Sequence, residues 1–262
     1  VWFLNPFEAI GRWRRARAAR RSQVPEALWR MVESALPFLD YLPADGRPRL
    51  RALALEFLAA KEMAAAQGFE LTDAVRLSIA LQACVPILEL GLDYYQGWVG
   101  IVVYPGDFLI PRRHTDEHGV VHEYGEAALG EAWEGGPVVL SWAGGEGVNV
   151  VLHEFAHKLD MANGATDGMP PLHAGMSREA WARAFGEAYA QFCRFVDEGH
   201  DPWLDPYAAE SPSEFFAVAS EAFFEAPLLL REDMAAVYEQ MRLFYRQDPA
   251  EGERRARALS PR

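Results

Sequence analysis

The chain has 262 residues, half of them hydrophobic and 24% charged, which suits one large domain or two small ones with ample material for a core. Its formal net charge of −13 repels phosphate backbones, so dedicated nucleic-acid binding is not expected. Only Lys61 and Lys158 among its 25 basic residues are lysines, a bias that genome composition alone can produce.

The chain begins VWFLNPFEAIGRWRRARAARR, with apolar residues before positive charges, the reverse of a secretory signal. Trp2, Phe3, Phe7, Ile10 and Trp13 alternate with Arg12, Arg14, Arg15 and Arg17. Such a basic amphipathic helix docks on its own domain or lies on an anionic membrane; docking is the expectation. QVPEALWRMVESALPFLDYL has helical spacing and is followed by a break at Leu42–Pro48. RLRALALEFLAAKEMAAAQG reads as a helix closed by Gly68, and LTDAVRLSIALQACVPILELG as another that opens on a Thr–Asp cap and ends at Gly91.

Near residue 96 the texture changes. WVGIVVYP, DFLIPR, VVHEY and PVVLSW are short β-branched or aromatic runs between Gly, Pro and Asp, and they read as strands. Four helices follow: VNVVLHEFAHKLDMANG; SREAWARAFGEAYAQFCRFVDEG, capped by Ser177; SPSEFFAVASEAFFEAP, with Ser211, Pro212 and Glu214 in a capping-box pattern; and EDMAAVYEQMRLFYRQ. The tail EGERRARALSPR is expected to be flexible. Helices, then a small sheet, then helices make an α+β fold. Residues 1–95 form a helical N-terminal region and 96–262 the remainder, together one compact unit. No apolar run approaches the roughly 20 residues that span a bilayer. Cys84 and Cys193 stand alone in apolar stretches, as free thiols do in a reducing compartment, so the cytoplasm is the expected location.

The chemistry concentrates in VVLHEFAHKLD, residues 150–160. His153, Glu154 and His157 form HExxH, and the i, i+4 spacing puts both imidazoles on one helix face, where they can share one metal ion. Zinc is the usual occupant of such a site. Glu154 points beside that face, within reach of a metal-bound water whose pKa zinc lowers to about 7. A hydroxide beside a Lewis acid suits attack on a peptide carbonyl. Val150, Val151, Leu152, Phe155, Ala156 and Leu159 make the surroundings apolar, so an uncompensated polar cluster there would cost several kcal/mol. Metal binding removes that penalty.

A metal needs a third protein ligand. The continuation HExxHxxGxxH is excluded, because its last two positions are Asp160 and Asn163. A glutamate from a later helix is the other common arrangement. Glu210, Glu214, Glu221 and Glu225 are the candidates, and spacing alone does not choose between Glu214 and Glu221.

HEFAHKLD followed by DPYAAESPSEFFAV resembles the Mlc titration factor A family of bacterial zinc metallopeptidases, as do VVYPGDF and GPVVLSW. That family in turn is similar in its catalytic core to the anthrax lethal factor protease. The resemblance implies a zincin-like fold with one zinc ion on His153, His157 and Glu214, and Glu154 as the catalytic base. It implies that Tyr207, seven residues before Glu214, donates a hydrogen bond to the oxyanion of the tetrahedral intermediate. It implies a peptide or protein substrate, and the family name implies binding of the sugar-responsive transcription repressor Mlc. The competing expectation is a binding protein that sequesters the repressor without catalysis. No motif for a free amine separates aminopeptidase from endopeptidase cleavage.

Asp160 either orients a histidine ring or bonds the loop that follows it. His114, His118 and His122 are also spaced by four, but Gly119, Val120 and Val121 place them on a hairpin, where they are not expected to share a face; no second metal site is expected. Val138–Trp142, the strand before the motif helix, is expected at a sheet edge, where an extended substrate would pair.

Overall fold

The computed structural model describes residues 24–106, 108–115, 121–128, 130–133, 135–142 and 149–259, and of 108–115 and 121–128 the backbone only. The expected N-terminal amphipathic helix lies outside the described residues. The first part is helical, with α1 at Glu26–Ser34, a 3-10 turn at Pro37–Tyr41, α2 at Gly46–Ala60 and α3 at Asp73–Cys84. The Thr72 side chain caps α3 by accepting from Val75 N. α3 stops short of Gly91 because Pro86 has no N–H to continue it, and a buried turn carries the chain to Gly91 at φ 86°.

One expected helix is cut short. α2 does not run to Gly68; it ends at Ala60, and Glu62–Ala65 form strand β1. Glu62 N donates to Val99 O, and β1 lies parallel to β2 at Gly100–Tyr104. The Lys61 ammonium, at the junction, donates to Tyr95 O and Trp98 O at 2.5 and 2.6 Å and stands 3.5 Å from the Trp98 ring centroid. Those tertiary bonds outweigh the helix propensity of KEMAAA, which amounts to only tenths of a kcal/mol per residue, roughly.

Strands β3 (Phe108–Thr115) and β4 (Val121–Ala128) form an antiparallel hairpin, and β5 (Gly130–Ala132) and β6 (Val138–Ser141) follow. The four-stranded sheet has the order β1-β2-β6-β5; only the β5–β6 pair is antiparallel. β6 is therefore internal, not the edge expected of it, because β5 folds back along its outer side. Among the described residues β5 is the edge beyond β6. In the hairpin His114 stands opposite His122. Directly opposed positions share a face, so the two do so against expectation, while His118 lies outside the described residues.

After the sheet come α4 (Val150–Asp160), α5 (Arg178–Asp197), α6 (Pro212–Glu225), α7 (Pro227–Asp233), α8 (Ala235–Tyr245) and α9 (Pro249–Leu259). The tail expected to be flexible is α9 for most of its length, packed on the Pro37–Tyr41 turn so closely that a Cβ on Gly252 would lie 2.9 Å from Tyr41 Cβ. Among the described residues no helix is long and apolar enough to cross a membrane.

All eleven residues of α4 are buried. A helix covered on every side is a core helix, and α4 is enclosed by α6, α3, β5 and β6. Phe155 anchors it, with ring centroids 5.6, 5.1 and 5.7 Å from Phe57, Tyr95 and Trp98. Phe155→Ala is expected to cost about 3–5 kcal/mol of stability. Urea unfolding of the two proteins checks this, and a loss under about 1 kcal/mol would contradict the packing described.

Candidate metal centre

Two helices build the site. α4 begins where the Asn149 side chain accepts from Leu152 N, and it carries His153 and His157 on successive turns, with Glu154 next to His153. α6 begins where the Ser211 side chain accepts from Glu214 N at 3.1 Å, with Pro212 in its first turn. The Glu214 carboxylate turns towards α4. Its Oε2 lies 3.0 Å from His153 Nε2 and 3.2 Å from His157 Nε2, and the two Nε2 atoms are 3.1 Å apart.

The protonation of these rings follows from their other nitrogens. His153 Nδ1 is 2.8 Å from Glu221 Oε1, a carboxylate that accepts. His157 Nδ1 is 3.1 Å from Ser213 Oγ, whose hydroxyl already donates to Asp160 Oδ2 at 2.9 Å. Both rings therefore donate from Nδ1, and in the neutral form each turns an Nε2 lone pair to the centre. Two lone pairs and a carboxylate oxygen within 3.2 Å repel one another unless a cation lies among them. Tetrahedral ligands about 2.0–2.1 Å from one ion stand about 3.3 Å apart, so His153, His157 and Glu214 fit a metal ion.

A proton competes for the same place. Burial opposes charge on His153, but the Glu214 and Glu221 carboxylates outweigh it and hold its pKa up at about 10. Burial likewise opposes charge on Glu214, and the two histidines overcome it and pull its pKa down to about 2. Metal binding at such a site releases protons.

Glu154 is 4% exposed, and its Oε2 is buried without a hydrogen-bond partner. Burial raises its pKa to about 7 against the opposing pull of His153 and His157. Gly130 of β5 lies on this side chain. A Cβ there would come within 2.6 Å of Glu154 Cγ and Cδ and would strike Oε1. Tyr207, on the 3-10 turn Pro206–Ala209, is 49% exposed, with its ring 6.1 Å from that of His153. The Asp205 side chain caps this turn and Tyr189 Oη donates to Ala209 O, so the turn is held at both ends.

The remaining carboxylates have other places. Glu221 faces Nδ1 of His153, not Nε2, and its Oε2 accepts from Asn149 N at 2.7 Å. Glu225 accepts from Asn149 Nδ2, and Glu210 ends the 3-10 turn and is not part of the His153–His157–Glu214 group. Asp160 is fully buried: its Oδ2 accepts from Gly168 N–H, the loop bond expected of it, and from the Ser213 hydroxyl, so it reaches the His157 ring only through Ser213. Gly168 has φ 77°, and a Cβ there would lie 2.9 Å from the Pro212 carbonyl carbon, so the loop passes close over the start of α6. Ser213, Asn149 and Gly130 carry no sequence signal; only the packing of α4 on α6 and β5 reveals them. A cavity of about 800 Å³ opens beside the N-terminus of α4 and shares Asn149 with the site, but none of the residues that could hold an ion.

This geometry separates Glu214 from Glu221 by experiment. Glu221→Ala, which frees a ring that stays in place, should weaken zinc binding about 10–100-fold. Glu214→Ala should weaken it further. Titration of zinc against a chromogenic chelator ranks the two variants, and a larger loss for Glu221→Ala would reassign the ligand.

Residues 10–246 match the glucose-regulated metallo-peptidase M90 family. The chain is 37% identical over 237 residues to the Mlc titration factor A of Salmonella gallinarum, a match that covers 83% of this chain and 85% of that protein. The Mlc titration factor A proteins of Salmonella paratyphi B and Salmonella typhi are similar to the same degree over the same shares. With a family match over most of its length and relatives of this similarity, the chain belongs to the glucose-regulated metallo-peptidase M90 family.

Proposed function

We propose that the chain is a zinc-dependent peptidase of zincin-like fold, with the ion on His153, His157 and Glu214. The observation that carries this reading is the convergence of the two Nε2 atoms and Glu214 Oε2 within 3.2 Å, with each ring's Nδ1 proton held by a partner so that the neutral ring turns its Nε2 lone pair inward. Zinc bound there would lower the pKa of a water to about 7 and polarise a carbonyl. Glu154 takes the proton from the attacking water; its buried Oε2 has no other partner in the described structure. It then returns that proton to the leaving amine, as general acid–base groups do. Tyr207, at the mouth beside His153, steadies the oxyanion. An extended peptide pairs along β5, the strand that touches Glu154 through Gly130 and has no strand on its outer side among the described residues. Cys84 and Cys193 are unpaired, which fits a reducing compartment, so the reading places the protein in the cytoplasm.

The relatives' name supports a second reading, in which this chain also binds the repressor Mlc. Such binding needs no turnover. One variant separates the two. Glu154→Gln should keep its zinc, measured by mass spectrometry, and lose about 10²–10⁴ in cleavage rate on a quenched peptide substrate. A pull-down of purified Mlc by the same variant should match wild type if sequestration is independent of catalysis. Normal turnover by Glu154→Gln would overturn the assignment of the base.

A further inference from the structure

The two lysines of the chain are both buried, in a protein that carries 23 arginines. Their ammonium groups share one aromatic ring: Lys61 Nζ lies 3.5 Å and Lys158 Nζ 4.8 Å from the Trp98 centroid. Each also bonds two main-chain carbonyls. Those of Lys158 are Trp133 O at 2.5 Å and Gly136 O at 2.9 Å, at the turn between β5 and β6. A compact ammonium with three freely directed donors serves two carbonyls and a ring face, which a planar guanidinium does not. Lysine is therefore used where arginine would not fit.

Lys158 follows His157 on α4, so it ties the ligand helix to that turn. The turn itself is tight. Gly136 N donates to Trp133 O at 3.0 Å, Trp133 N donates to Pro137 O at 3.3 Å, and a Cβ on Gly136 would lie 2.9 Å from Trp133 Cβ. At its other end β5 rests on Glu154 through Gly130. A three-residue strand is thus held on α4 at both ends, by Lys158 and by the Gly130 contact. The Trp133 side chain, 51% exposed, stands at the clamped end.

We propose that Lys158 is a positioning residue for substrate, which acts through the Trp133 and Gly136 carbonyls to fix strand β5 over Glu154 as the rail for an extended peptide. This rests on the peptidase reading above. Lys158 bonds none of the ion-binding atoms, and its charge acts on Glu154 alike for every substrate, so a loss confined to substrates long enough to reach along β5 reads the rail.

The test compares wild type with Lys158→Met, both zinc-loaded and full length, on a long internally quenched peptide and on a dipeptide reporter with the same scissile bond. Zinc content should be unchanged. kcat/KM on the long peptide should fall by about tenfold or more through KM, the scale expected for sub-ångström misplacement, and the dipeptide should change less than about twofold. Equal losses on both, or no loss on either, would overturn the proposal. Should wild type cleave no peptide at all, the peptidase reading fails, and hydrogen exchange then decides for Lys158. Faster exchange at residues 131–140 in Lys158→Met, with α4 unchanged, supports the clamp; unchanged exchange overturns it. If Lys158→Met does not fold, Lys158→Gln, which keeps two N–H donors on a shorter, uncharged side chain, takes its place with the same outcomes. Failure of both variants to fold would make Lys158 a folding residue and overturn the positioning role.

Discussion

Three electron-rich atoms held within 3.2 Å of one another, inside a helix pair that is otherwise core, set the demand that the rest of the structure meets. Such a cluster is stable only with a cation in it and with every remaining polar atom bonded. The surroundings supply the second condition nearly in full. Glu221 takes the Nδ1 proton of His153, and Ser213 takes that of His157 and passes its own to Asp160. Each relay ends on the backbone: Glu221 at Asn149 N, Asp160 at Gly168 N. The rings are thereby fixed in orientation and tautomer by groups on α6, on the cap of α4 and on the loop that follows it.

Helix ends bear this load as well as helix faces. Asn149 is at once the cap of α4, the backbone donor to Glu221 and the side-chain donor to Glu225. Glu214 sits where a capping box would send its carboxylate back to the N-terminus of α6, and that carboxylate goes to the histidines instead. The Ser211 side chain still takes the N–H of Glu214, so the cap holds the backbone of the residue whose side chain serves the centre. Two carboxylate oxygens of the network are exceptions to full satisfaction: Asp160 Oδ1, and Glu154 Oε2 in a site that holds the Glu154 pKa near neutrality. An unsatisfied buried carboxylate is costly to stability, and it is what a proton acceptor needs.

The sheet packs on this helix pair through β5 and β6, and one indole adds a specific tie. Trp98 receives both lysines and packs on Phe155, so one indole links α2, β1, the turn before β6 and α4. Arginine suits the surface, where it pairs with acids such as Glu26 and Glu33 through Arg51. Among the described residues the buried basic side chains of Lys and Arg are the compact ones.

Much of the site was legible in the chain alone, because HExxH depends only on helical period, and one helix places both histidines whatever surrounds it. Helix caps at Thr72, Ser177 and Ser211 were equally local, and the structure has them. What sequence could not decide depended on chain segments far apart. KEMAA reads as helix by propensity and is a strand because Val99 O and the parallel edge of β2 lie beside it. PVVLSW reads as an edge and is internal because a three-residue strand, too short to announce itself, covers it. The C-terminal tail reads as flexible and is a helix because Tyr41 lies against Gly252. Glu214 and Glu221 are equivalent by spacing, seven apart on one helix. The packing of α6 on α4 distinguishes them, one facing Nε2 and the other Nδ1 of the same ring. Local period and capping are written in neighbouring residues, whereas the partner of a buried polar atom is set by which element arrives to meet it, and that only the tertiary structure decides.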